Sequence, residues 1–240
     1  VNDKFSAVID VQISPSSAAL SQNYLFGSAN LLSNDTSFAT SHFPYSPLEN
    51  LVLKIDEALK NLRKSLPWLG SDIKIMGKRF DTQYHFTVAA AFIDAFVSDA
   101  EDYREKKAKL KALLETHLPE NTILQLNQND NDAQESIESY YLTVTGSSAE
   151  HDDPGQIGRG NRITGFIAPL RHQTLEAVAG KNLTRHVGGF FNFWATEIAK
   201  KIWNEYSIAS QIILMCEIGC PINAPYVFIS LEDESSIEAK

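Results

Sequence analysis

An α+β fold, with mixed or antiparallel sheets covered by helices on one face, follows from three observations. Strand-like segments stand in pairs between helical ones, which disfavours the single alternating strands of a doubly wound parallel sheet. Apolar spacing switches repeatedly between a period of two and a period near 3.6. The chain has 240 residues, 43% of them apolar, enough to bury a core in one large domain or two smaller ones. The two early helical segments each follow strand sequence and precede a strand pair, a hint of structural repetition. The expected division is a first α/β repeat over residues 1–130 and a second over 131–240.

Residues 5–13 read as the first strand, and a Ser/Asn-rich loop follows that ends at 34–38. Pro47 opens a helix with Leu48, Leu51, Ile55, Leu59, Leu62 and Leu66 at i+3/i+4 spacing, and Pro67 stops it. Residues 73–80 and 84–92 read as a hairpin turning at Asp81-Thr82. Residues 99–118 form an amphipathic helix, acidic in its first turn, that buries Tyr103, Leu110, Leu113 and Leu114. Residues 122–126 and 140–145 are short strands separated by a polar turn-forming tract. A long helix over 184–206 carries Val187, Phe190, Phe191, Trp194, Ile198, Ile202 and Tyr206, a stripe that suits a core. Residues 210–216 and 226–231 are the last strands, and an acidic tail follows.

The net charge of −9 argues against nucleic acid as the main partner. Basic residues nevertheless gather between Arg159 and Arg185, where Arg162, Arg171 and Lys181 also stand and Glu176 is the one acid. A local basic patch on an acidic chain fits an anionic small molecule better than a polymer. Cys216 and Cys220 lie in apolar sequence without zinc spacing and read as buried, inert thiols. No apolar run is long enough to span a bilayer and no signal peptide is visible, so no membrane partner and a cytoplasmic location are expected.

The densest chemistry lies in Gly158-Arg159-Gly160-Asn161-Arg162, preceded by Asp152-Asp153 and followed by Gly180-Lys181-Asn182. Glycines let backbone N–H groups approach phosphate oxygens, arginine grips phosphate bidentately, and lysine acts as a point charge. The aspartates suit Mg²⁺ or a cationic substrate group. The plainer reading is a charged surface turn. The glycines are not a dinucleotide fingerprint, because Ile163 to Ile167 looks extended where that motif requires a helix. Gly180-Lys181-Asn182 stands at the entry of the long helix, where a phosphate would be favoured; Asn182 or Thr184 would equally serve as an N-cap. Asn34-Asp35-Thr36-Ser37 suits a metal or a capped turn, and capping is the better reading from spacing. The histidines show no metal spacing.

These segments together resemble the archaeal-type methionine adenosyltransferases. The blocks that carry the resemblance are Asn34-Asp35-Thr36-Ser37-Phe38, Asp72-Ile73-Lys74-Ile75-Met76-Gly77, Ala89-Ala90-Ala91 with Asp94, Asp102-Tyr103, and Tyr140-Tyr141-Leu142-Thr143-Val144-Thr145-Gly146. A longer one runs from Gly158 through Arg171-His172 and Gly180-Lys181-Asn182 to His186-Val187-Gly188, with Ile218-Gly219 and Pro221-Ile222 near the end. The resemblance implies pseudo-repeated α/β domains whose sheets pack subunits into a homodimer. It implies attack of methionine sulfur on the 5′ carbon of ATP, departure of tripolyphosphate, and hydrolysis of that product to phosphate and diphosphate, with Mg²⁺ and K⁺ assisting. Arg159, Arg162 and Lys181 would then supply positive charge to the leaving group. Asp153, Asp35, Asn182, Gly158 and Gly160 would bind substrate or nucleotide, and Asp152 would serve a metal. The family's N-terminal Gly-His-Pro-Asp segment has no counterpart here, the family's arginine, glycine pair and aspartate are absent from residues 12–20, and Gly189 stands where the family has lysine. The expectation is a truncated or divergent family member; the alternative is a non-catalytic homologue or partner subunit that keeps the fold.

Overall fold

The structure, a computed structural model, describes residues 10–14, 31–131, 137–148, 162–174, 178 and 186–232. The described residues form three α-helices and two sheets. In chain order the elements are β1 (Ser37–Phe43), α1 (Pro47–Leu62), β2 (Leu69–Phe80), β3 (Gln83–Ile93), α2 (Ala100–Glu115), β4 (Thr122–Leu126), β5 (Leu142–Thr143), α3 (Val187–Tyr206), β6 (Ala209–Cys216) and β7 (Tyr226–Glu232). The mixed and antiparallel α+β class expected from the sequence is what forms.

Two compact units result, one within Pro47–Gln156 and the other drawn from Asp3–Ser46 and Ile157–Lys240. This grouping differs from a division near residue 130. β1 pairs antiparallel with β6 along its whole length, Ser37 opposite Cys216 and Phe43 opposite Ser210, so the early strand belongs with the last part of the chain. Sequence reading had put the first strand at 5–13. Of that span only the end is described, and residues 10–14 are exposed and irregular. The loop expected to end at 34–38 overlaps the start of β1, whose sequence Ser37-Phe38-Ala39-Thr40-Ser41-His42-Phe43 has few β-branched residues to announce a strand. Pairing with β6 makes it a strand regardless.

In the unit within Pro47–Gln156, β2 and β3 form a hairpin whose turn places Asp81 at φ 51°, a conformation that aspartate tolerates. β4 joins β3 in parallel through Tyr84–Val88, with α2 as the crossover; β5 joins the same edge higher up at Phe92 and Ile93. Between those two pairings the Ala90 N–H and carbonyl would be left without a partner on this edge, Ala90 facing Ile73 of β2 on the other. Asn127 fills the gap: its Oδ1 accepts from the Ala90 N–H (2.8 Å) and its Nδ2 donates to the Ala90 carbonyl (2.9 Å). The same amide reaches the Tyr103 hydroxyl (2.8 Å), which donates to Asp130 (3.0 Å), and Lys107 closes the chain on Asp130 (2.6 Å). Burial, then the Asp130 carboxylate, pushes the Tyr103 hydroxyl well above the ordinary tyrosine range, so it stays a donor. Asp99 caps α2 by accepting from the Asp102 N–H (2.9 Å). Ile55 and Leu59 of α1 and Tyr103, Leu110 and Leu114 of α2 pack on Phe86, Val88, Phe92, Leu124 and Leu126.

In the other unit, the sheet order is β1-β6-β7. α3 lays Val187, Phe191, Ala195 and Ala199, spaced by four, onto Ala39, Ile212 and Leu214. Its beginning at Val187 is later than the 184 expected. Ser41 and Thr196 share a buried hydroxyl–hydroxyl bond of 2.9 Å at this contact. β7 is apolar on both faces yet exposed: Tyr226, Val227, Phe228, Ile229 and Leu231 all keep 46–65% of their surface. Cys216 is buried and Cys220 half-buried, both as free thiols. Among the described residues no helix is long and apolar enough to cross a membrane.

Candidate functional site

Of the residues proposed from sequence for the site, Arg162 and Asp35 are described. Arg159, Lys181, Asp153, Asn182, Gly158, Gly160 and Asp152 lie outside the described residues. Both described residues belong to the unit built on β1, β6 and β7.

Asp35 is exposed in a turn where the Ser33 hydroxyl donates to its carbonyl (2.6 Å). Its neighbour Asn34 accepts from the Val187 N–H (2.9 Å), and Thr36 accepts from the Ile218 N–H (3.1 Å). Asn34 is therefore tied to the first turn of α3, as capping requires, and Thr36 to the connection between β6 and β7. His186 completes that turn, its Nδ1 accepting from the Gly188 N–H (3.1 Å). The sequence reading offered Asn182 or Thr184 as the cap; those lie outside the described residues, and His186 does this work.

Arg162 is half-buried beside a small recess along β1, lined by Thr40, His42, Thr164, Gln173, Thr174 and Asn192. The lining is held by polar bonds. The Thr174 hydroxyl accepts from the Thr40 N–H (2.7 Å) and donates to the Thr40 carbonyl (3.3 Å). Gln173 donates to the Phe166 carbonyl (3.2 Å) and accepts from the Ala168 N–H (2.9 Å). The His42 ring meets the rings of Tyr45 and Phe166 edge-on at 5.7 and 6.3 Å. A guanidinium at the rim of such a rigid polar wall suits an anionic oxygen, because its donors are preset.

A second charged cluster, which sequence reading did not single out, lies in the other unit. Asp72 and Lys74 alternate along β2 and so share a face. The Lys74 ammonium donates to both Asp72 oxygens (2.6 and 2.7 Å) and to the Tyr141 hydroxyl (2.8 Å); Tyr141 in turn donates to Asp72. The ammonium also stands 5.4 Å from the Tyr141 ring centre. Tyr141 is brought here by backbone: the Phe92 N–H donates to its carbonyl (3.0 Å), and Gly146 packs against Gly70. A Cβ on Gly70 would sit 2.5 Å from the Gly146 carbonyl, and Gly146 itself has φ 74°, so both positions require glycine. Burial works against the Lys74 charge, but the bonds to Asp72 and Tyr141 outweigh it and raise the ammonium above the ordinary lysine value. Burial and the bond to Asp72 raise the Tyr141 hydroxyl in the same way. The Asp-x-Lys spacing on a strand was the available signal; its partner Tyr141 is far away in sequence. Among the described residues no three His, Cys, Asp or Glu side chains converge into a group that could hold a metal ion.

The family model for S-adenosylmethionine synthetase matches residues 1–238. The chain is 38% identical to the S-adenosylmethionine synthase of Methanosphaera stadtmanae and 41% identical to that of Thermoplasma volcanium, in each case over 92% of this chain and 56% of the relative. A solved S-adenosylmethionine synthetase from Campylobacter jejuni shares the fold, with a TM-score of 0.59 at 13% identity over 89% of this chain and 58% of that one. The chain thus spans about half the length of the curated relatives it matches. With the match running almost end to end, the chain belongs to the S-adenosylmethionine synthetase family.

Proposed function

We propose that this chain forms part of an enzyme that makes S-adenosylmethionine from ATP and methionine. The observation that carries the reading is the match to the family over residues 1–238. A bond forms between the methionine sulfur and the 5′ carbon as the bond from that carbon to the triphosphate oxygen breaks. The sulfur becomes a sulfonium, and tripolyphosphate leaves with the electron pair. Water then splits it into phosphate and diphosphate. Negative charge grows on the leaving oxygen, so fixed cations aimed there lower the barrier. Arg159, Arg162 and Lys181 take that role. Asp153, Asp35, Asn182, Gly158 and Gly160 hold substrate and nucleotide, and Lys74, anchored by Asp72, is a further cation for an anionic group. The family's Mg²⁺ and K⁺ would neutralise phosphate charge, and Asp152 is the carboxylate assigned to a metal. A cytoplasmic homodimer completes the reading. The aligned residues Phe38, Met215 and Tyr226 leave an apolar strip across one sheet face that a second copy would cover.

Incubation of the chain with ATP, methionine, Mg²⁺ and K⁺, with product read by mass spectrometry, tests the reading. Binding of ATP by the chain is expected whether or not these residues alone form product, and in any preparation that makes S-adenosylmethionine Arg162→Ala should lower turnover about 10²–10³-fold. No product, with no binding of ATP, would sink it. A second reading, a partner subunit that keeps the fold without catalysis, draws on Gly189, which is buried in the first turn of α3 where the family carries lysine.

A further inference from the structure

We propose that Tyr141 is a positioning residue for Lys74: its hydroxyl fixes the direction of the ammonium group, through a three-point hold shared with Asp72. The inference deepens the reading above and rests on Lys74 serving there as a cation.

A lysine head on its four-carbon stem is ordinarily free to swing, and a two-partner ion pair at a surface restrains it little. Here all three ammonium hydrogens have an acceptor, two on Asp72 and one on Tyr141. The anchor points are themselves fixed. The Asp72 side chain is 9% exposed and sits on β2, whereas that of Lys74 is 37% exposed, so the cluster opens on the lysine side. Tyr141 is held through its carbonyl by the Phe92 N–H, and the chain beyond it is pinned where Gly146 packs against Gly70. The donor ring runs one way: Lys74 to Asp72 and Tyr141, and Tyr141 to Asp72. The phenol is the one neutral acceptor of the three. An incoming phosphate or carboxylate oxygen therefore takes the hydrogen from Tyr141 while the ion pair with Asp72 stays intact. Tyr141 marks the direction from which the anion approaches.

The test reads Lys74 directly, with no substrate present, so a chain that makes no S-adenosylmethionine still decides it. Nζ-detected NMR across alkaline pH, on the wild-type chain and on Tyr141→Phe, gives the Lys74 titration. Acetylation by acetic anhydride, quantified by mass spectrometry against Lys78 of the same strand, gives its reactivity. The expected result is a lower Lys74 titration midpoint and an acetylation rate raised about three- to tenfold relative to Lys78. An unchanged midpoint and rate would overturn the proposal. Should Tyr141→Phe fail to fold, Lys74→Met supplies the reciprocal measurement on chain with labelled tyrosine. The Tyr141 titration should then move further up, since the cation that favours its phenolate is gone. A Tyr141 signal that stays in place would overturn the proposal equally.

Discussion

Asn127 and the stripe on α3 solve the same problem in the two units by opposite chemistry. In the first unit a break in the sheet is bridged by one carboxamide that bonds both backbone groups of Ala90, backed by Tyr103, Asp130 and Lys107. In the second, α3 is held to β1 and β6 by apolar side chains, with Val187, Phe191, Ala195 and Ala199 pressed onto Ala39, Ile212 and Leu214. Directional bonds place atoms to within a few tenths of an ångström, whereas apolar burial is indifferent to small shifts. The unit with polar stitching is also the one that holds a lysine by three bonds, and the two features are built by the same means. The other unit has its own buried polar bonds, such as that between Ser41 and Thr196, but rests α3 on the sheet mainly through packing.

The comparison can be sharpened by attacking each device. Phe191→Ala removes a fully buried ring and should cost about 3–5 kcal/mol. Hydrogen exchange should show the loss in β1, β6 and α3 while β2 and β3 keep their protection; loss spread over both units would break the contrast. Asn127→Ala leaves the Ala90 N–H and carbonyl buried without their partner and should cost about 2–4 kcal/mol. Here the protection lost should lie in β3, β4 and β5, and a denaturation midpoint equal to that of the wild type would refute the bridging role. The smallest effect concerns pH. The bond to Lys106 and then the Ser98 N–H hold the Asp102 carboxyl below the ordinary carboxylate value. Because its folded pKa is depressed, its contribution is complete above the unfolded value and fades as pH falls through the folded one. Asp102→Asn should therefore narrow the difference in stability between neutral and acid solution, measured by urea denaturation at several pH values.

Much of this architecture was legible. The helices of the first unit, the hairpin and the last two strands carry strong periodicity and clear stops, and they form within a few residues of where the sequence places them. From α1 onward the order of elements also matches, while most of the strand expected at 5–13 lies outside the described residues. β1 escaped notice because its strand character comes from β6, and pairing across such a separation leaves no local trace. The capping role of Asn34 was readable from residue type, while the meeting of Lys74 with Tyr141 depended on β5 joining β3, a tertiary event. The polar surroundings of Arg162 on β1 were not readable, because the pairing that brings them there is tertiary.

Gly70 and Gly146 stand back to back, each occupying the space that the other's Cβ would need. They behave as one locus divided between two distant codons. A side chain gained at either is blocked by the backbone of the other, and exchanging the two residues changes nothing. Adaptive change cannot cross this point one substitution at a time, so in a saturation scan both codons would stay fixed as glycine while their neighbours drift.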